Sequence, residues 1–390
     1  MNSSNNTNNT SKKKIFIVAG EASGDLHASK LIQEMKKQTP NIEIVGIGGD
    51  KMIEAGARIL IHQSKIAVMG VVEITACIKH IRYALKVSKN YLSNNKPDLL
   101  ILIDYPGFNL ILAKYAHKLG IPVFYYICPQ IWAWRKGRVK KLKRYVTKAA
   151  VILPFEEKFL KTHGIDATFV GHPLLDVVTM EDNAIKKLTQ ANIDIKKRII
   201  TLLPGSRYGE VKRIFPNLVK SIDIIRQELS DIEAVVGLAP SIDKNFLIDI
   251  IKKVDSKLLR YIKFYNGNIY NLIGCSELVL AASGTVTLEA AILEAPLIVV
   301  YILNSVSYIL ARLLVDVPYV SLVNLVANKK IVPELLQKEA NSLNIAKYAI
   351  DLLKNKNKIS TMRQELKQVK ELLGSKGAAK RAAQIALTLI

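Results

Sequence analysis

Short apolar runs alternate with amphipathic stretches almost from one end of this chain to the other. Residues 15–19, 42–47, 99–103, 123–127 and 151–153 have the composition of strands buried on both faces. Helical spacing fills the gaps: over 25–38, Ala28, Leu31, Ile32 and Met35 fall at i, i+3, i+4 and i+7. A second series of strand-like runs comes at 199–203, 234–239, 262–265, 278–282 and 297–302. Strands alternating with helices imply parallel sheets joined by right-handed crossovers. The expected organisation is a polar, disordered lead at 1–14, an α/β domain at 15–176 and a polar linker at 177–197. A second α/β domain then spans 198–340, and a helical segment at 341–390 packs back as a cap.

Composition narrows this picture. At 390 residues and 49% hydrophobic, the chain can fill two cores. Cys77, Cys128 and Cys275 are too scattered for a disulfide framework or a metal motif, which points to a reducing, cytoplasmic setting. The lead lacks the apolar centre of a secretion signal, and no run reaches the length of a membrane span. The net charge of +23 suits nucleic acid, anionic lipid or a phosphorylated substrate, and charge alone does not choose.

The loops at the ends of strands carry the chemistry. Leu202-Leu203-Pro204-Gly205-Ser206-Arg207 and Ala281-Ala282-Ser283-Gly284-Thr285 each run from a strand through a glycine into a helix. Such loops aim backbone N–H groups and the positive helix end at an anion. Arg207 adds a permanently charged fork suited to phosphate. Glu289 lies one turn beyond Thr285 on the same helix face, where ribose hydroxyls would reach it. Asn324 has an amide for the same phosphates. Together these residues suggest a cradle for a nucleotide diphosphate. They also disfavour a protein that merely binds nucleic acid or lipid.

In the first half, Gly20-Glu21-Ala22-Ser23-Gly24-Asp25 comes directly after a strand, with Asp25 a candidate helix cap and Glu21 a candidate catalytic carboxylate. Asp104 ends an apolar strand before Tyr105-Pro106-Gly107, a setting that suits a general base. Trp132 and Trp134, followed by Arg135, sit at the head of a stretch, 135–148, with eight basic residues and no acidic one. That stretch is either a solvated helix face or a docking surface for anionic groups. The amphipathic stretch at 68–92 fits a helix on the domain core and an interfacial membrane helix equally well. His172 is expected to be structural. There is no metal motif: no HExxH, no Cys–His cluster and no DxD pair.

Nine segments, in one order from 15 to 337, resemble the lipid-A-disaccharide synthase family of Gram-negative bacteria. They are GEASGD, VMGVVE, LIDYPGFN, CPQIWAWR, LPFE, FVGHP, LLPGSR, SGTVTLE and YVSLVNLVA. The resemblance implies a GT-B glycosyltransferase, with two Rossmann-like domains facing a cleft. It implies transfer from UDP-2,3-diacylglucosamine to 2,3-diacylglucosamine 1-phosphate (lipid X) with inversion, no metal and no cofactor. It further implies a homodimer with exchanged C-terminal segments, working at the anionic inner leaflet and not on nucleic acid. Glu21 and Asp104 fall in acceptor-side motifs, and Arg207, Glu289 and Asn324 match UDP-side positions. Cys128, Gln130 and Leu174-Leu175 depart from the commoner pattern, which bears on acyl-chain preference more than on reaction type. The rival readings are another GT-B enzyme using a UDP-sugar, such as a lipid-linked N-acetylglucosaminyl transferase or a 2-epimerase, and a non-enzymatic peripheral lipid-binding protein.

Overall fold

A computed structural model describes residues 12–66, 74–132, 137–304, 308 and 317–390. The chain divides into two compact units: residues 1–173 with 375–390, and residues 174–374.

Unit 1 is built on a sheet of seven parallel strands. They are β1 (Lys13–Ala19), β2 (Ile42–Gly48), β3 (Arg58–His62), β4 (Leu99–Ile103), β5 (Val123–Tyr126), β6 (Lys148–Val151) and β7 (Ala167–Phe169), in the order β3-β2-β1-β4-β5-β6-β7. Helix α1 (Ala22–Gln38) covers one face, burying Ala28, Leu31, Ile32 and Met35 as the spacing predicted. Its first turn begins three residues before the expected start, so Asp25 lies inside the helix. Asp25 caps the neighbouring α2 (Asp50–Glu54) instead, accepting from the N–H groups of Gly49 (2.6 Å), Lys51 (3.1 Å) and Met52 (3.2 Å). A carboxylate at a helix N-terminus satisfies amides that have no partner inside the helix.

Helix α3 (Ile74–Asn95) takes up most of the amphipathic stretch at 68–92. It buries Ala84 and Leu92, with Ile81, Leu85 and Tyr91 packed on the same core. From 79 onward it is therefore a helix on the domain core, and residues 68–73 lie outside the described residues.

Unit 2 repeats the topology. Strands β8 (Arg198–Leu203), β9 (Ile232–Gly237), β10 (Ile262–Tyr265), β11 (Leu278–Ala282), β12 (Leu297–Tyr301) and β13 (Glu334–Leu336) run parallel in the order β10-β9-β8-β11-β12-β13. In each sheet the chain winds outward from the first strand to one edge, then returns to build the other side. The reversal falls between β1 and β4 in unit 1 and between β8 and β11 in unit 2. Loops beyond the carboxyl ends of those two strand pairs are where open α/β sheets bind ligands.

Two parts of the expected organisation look different in three dimensions. The polar stretch at 177–197 contains α4 (Ala184–Gln190), and Leu188 and Ile193 join a small core with Leu272 of unit 2. The C-terminal stretch is shared between the units. Residues 342–372 pack in unit 2, whereas α5 (Ala378–Leu387) crosses to α1 and buries Ala382, Ala383 and Ala386 there. Alanines at that spacing give a flat helix face that approaches α1 closely, a pattern too featureless in sequence to assign to either domain.

Candidate functional site

In unit 2, β8 ends at Leu203 and the chain turns through Gly205 into α6 (Tyr208–Glu228). Gly205 has φ +113°, a backbone region closed to residues with a side chain. Across the reversal, β11 leads through Ser283-Gly284-Thr285 into α7 (Val286–Ile292). Both loops line one cavity of about 490 Å³, together with Glu289 and the 237–240 and 266–269 loops. The space over Gly284 is open, so a ligand can approach its backbone. The structure thus brings Gly205, Ser206, Ser283, Gly284, Thr285 and Glu289 together, as the sequence suggested. Glu289 is mostly buried and faces the Tyr270 hydroxyl at 3.4 Å. Burial raises its carboxyl above the usual range, and Tyr270 is pushed up to about 12 by burial first and by Glu289 second.

Two residues sit differently from expectation. Asn324 has no spare amide. Its Nδ2 donates to Val332 O (3.0 Å) and Glu334 Oε1 (2.8 Å), and its Oδ1 accepts from Ile331 N (2.8 Å) and Val332 N (3.0 Å). Fully buried, it braces the turn into β13. Arg207 is exposed and caps α6 through its backbone, and its side chain is not part of the cavity lining. Its charge acts on Glu210 and Tyr301.

Glu210 is a lining residue that the sequence reading missed. Its carboxylate accepts hydrogen bonds from the Ser206 and Arg207 amides and lies where a side chain on Gly205 would go. The spacing of a capping box, in which the third helical residue reaches back to the cap, was the signal that could have found it. Those amides are therefore already engaged.

At the reversal in unit 1 the loops are crowded. Ala19 pairs with Ile103, which sets Gly20 and Glu21 beside Asp104. A side chain on Gly20 would collide with the Tyr105 ring, so close approach dictates glycine there. Asp104 and Tyr105 both have φ +44°, and Ile127 has φ +58°. Left-handed residues other than glycine each cost on the order of 1 kcal/mol, and strain of this kind concentrates at functional sites. Burial raises the Asp104 carboxyl above its ordinary value, and the Glu21 charge adds to the effect. Glu21 itself is exposed.

Trp132 does not open onto solvent as a free platform. Its indole N–H donates to Glu156 Oε1 (3.0 Å) and its ring meets Phe155 edge-on at 4.9 Å. Glu156 is buried, and desolvation pushes it up to about 7 against the pull of Trp132 and of the Leu153 and Ile152 amides. Trp134 and Arg135 lie outside the described residues. His172 is buried and held neutral, its pKa lowered to about 4 by burial and by His27.

A family model described as lipid-A-disaccharide synthetase matches residues 15–389, which includes every loop described above. The chain belongs to that family. A lipid-A-disaccharide synthase of Syntrophus aciditrophicus is 41% identical over 378 residues, covering 97% of this chain and 98% of that protein. The same enzyme from Nitrosococcus oceani is 39% identical, covering 96% of each. Among solved structures, a UDP-GlcNAc 2-epimerase from Neisseria meningitidis bound to UDP-GlcNAc superposes with a TM-score of 0.62 at 12% identity, over 96% of this chain and 98% of that one. A calicheamicin glycosyltransferase gives 0.62 at 14%, over 97% and 98%. At such identities the likeness concerns the fold: two Rossmann-like halves of the GT-B class.

Proposed function

We propose that the chain joins UDP-2,3-diacylglucosamine to 2,3-diacylglucosamine 1-phosphate, releasing UDP. The observation that carries this reading is the family match across both reversal points, one with a glycine-walled cavity and the other with a strained, partly desolvated carboxylate. In this scheme the diphosphate lies over the 284–286 turn with Arg207 neutralising the departing charge, and Glu289 holds the ribose hydroxyls. Asp104 takes the proton of the acceptor 6-hydroxyl. The new O6–C1 bond forms as the bond from C1 to the diphosphate oxygen breaks, and its electron pair leaves with UDP. Glu21 keeps Asp104 basic by like-charge repulsion, and remains the rival for the proton.

Both substrates are acylated, so the enzyme must meet a membrane surface. Among the described residues no helix is long and apolar enough to cross one. Helix α8 (Arg138–Tyr145) buries Val139 and Leu142 and exposes Lys140, Lys141, Lys143 and Arg144, a face suited to anionic headgroups. Charge reversal at Lys140 and Lys141 should weaken sedimentation with anionic liposomes at low salt. Wild-type sedimentation of that variant would remove this face from the scheme.

Mass spectrometry of products from the two sugar lipids, with EDTA present, tests the reaction. A disaccharide monophosphate plus UDP is expected. An epimerised UDP-sugar without disaccharide would reassign the protein to the epimerases that share its fold.

A further inference from the structure

We infer that Tyr125 and Asn109 are positioning residues for Asp104. The inference rests on the reading of Asp104 as the base. Two fully buried residues direct their donors at one backbone carbonyl. The Tyr125 hydroxyl donates to Asp104 O at 2.5 Å, and Asn109 Nδ2 donates to the same oxygen at 2.7 Å. That carbonyl belongs to the peptide between the two left-handed residues, Asp104 and Tyr105. Pinning it fixes ψ of the first and φ of the second, and so fixes the direction in which the Asp104 side chain leaves the strand.

The Asp104 carboxylate also accepts from the Tyr105 N–H of the same pinned peptide, while the tie through its own N–H is weak. The Asp104 N–H is shared between Tyr126 O (3.4 Å) and Ile127 O (3.3 Å), both at the long limit of a hydrogen bond. Asn109 also reaches Ile103 O at 3.1 Å, so one amide clasps the last two carbonyls of the strand end. Its own Oδ1 is buried and has no hydrogen-bond partner among the described residues. An orphaned buried acceptor is costly, and a leucine would fill the space without it. A phenylalanine would likewise fill the place of Tyr125. What these two residues add beyond packing is donors, and the donors converge on the carbonyls of Ile103 and Asp104. With the carbonyl released, the backbone relaxes toward ordinary φ values and the carboxylate moves off the acceptor hydroxyl, where displacement of about 1 Å is costly.

The test compares Asp104→Asn, Tyr125→Phe and Asn109→Ala in the disaccharide-forming assay, with melting curves and UDP binding measured on each. Tyr125→Phe should lower kcat roughly fivefold to tenfold, the worth of one buried hydrogen bond. Donor KM and UDP affinity should stay at wild-type values, because the nucleotide contacts lie in unit 2. Asn109→Ala should lower kcat further. On an Asp104→Glu background, whose longer arm no longer depends on that backbone direction, the Tyr125→Phe penalty should shrink to under about twofold. If Asp104→Asn is inactive while folded Tyr125→Phe and Asn109→Ala turn over like wild type, the positioning role is wrong and the base assignment stands. An equal Tyr125→Phe penalty on both backgrounds also overturns the positioning role, since the hydroxyl would then act without Asp104. If Asp104→Asn is fully active, the base assignment fails and takes this inference with it.

Discussion

The two reversal points share a strand order and differ in the loops at their strand tips. In unit 2 the tips of β8 and β11 run into loops containing Gly205 and Gly284, and a cavity of about 490 Å³ opens between them. In unit 1 the equivalent tips carry Glu21 and Asp104, with Tyr105 filling the space over Gly20. One half opens a cavity walled by glycine-containing loops and helix starts. The other excludes bulk and holds a carboxylate whose charge is made unfavourable by burial and by its neighbour. The same topology thus serves two opposite electrostatic ends, decided by a handful of residues just past the strands. A glycine leaves the backbone open to approach, whereas an aspartate in a left-handed turn puts a carboxylate there instead.

The sharpest way to break this contrast is at the base. Asp104→Asn should lower turnover by roughly a thousandfold, within the span expected for general base catalysis, and leave UDP binding intact. The raised carboxyl also sets a sign. With Asp104 as the proposed base the active form is the carboxylate, so the rate should fall as pH drops through a pKa above the ordinary aspartate value. Removing the nearby charge with Glu21→Gln should move that limb to lower pH. An active Asp104→Asn paired with an inactive Glu21→Gln would hand the role to Glu21.

Arg207→Ala probes the opposite half. Loss of one charge that stabilises the leaving diphosphate should cost about a hundredfold in kcat, with the fold unchanged because the side chain is exposed. Near-normal turnover would show that the exposed arginine stays clear of the ligand. Glu289→Gln should then weaken UDP binding by roughly tenfold through loss of a charge-assisted hydrogen bond to the ribose. Unchanged affinity by titration calorimetry would leave Glu289 as a partner of Tyr270 only.

Much of this layout is legible in sequence because it comes from period and punctuation. Buried parallel strands read as apolar runs, and a glycine after such a run marks a loop that approaches a ligand. Elements decided by partners distant in sequence were harder to read. Asp25 reads as a local cap until its true partner, the amides at 49–52, is brought alongside by the pairing of β1 and β2. Asn324 looks like a free donor until β13 closes over it. Glu210 and Glu156 are both third helical residues that reach back to the loop before their own helix, a contact that depends on local spacing alone. The edge strands β7 and β13 are only three residues each, too short to stand out as apolar runs.

Glu156 offers the smallest effect and a clean one. It is buried, about 7 in the folded chain against about 4.5 when unfolded, and its carboxylate accepts from the Trp132 indole. A raised carboxyl is protonated in the folded state over a range in which the unfolded chain has already ionised. Folded stability should therefore decline as pH rises from about 4.5 through 7, by at most a few kcal/mol. The same titration should be visible in Trp132, since ionisation strengthens the acceptor facing the indole N–H. In a Trp134→Phe variant, where Trp132 is the remaining tryptophan, emission should shift with a midpoint near 7. Glu156→Gln should abolish that shift, and a pH-independent emission in the Trp134→Phe protein would mean that Glu156 stays in one protonation state throughout. Because Asp104 sits at a different strand tip of the same unit, the two midpoints can be read separately, one from fluorescence and one from rate.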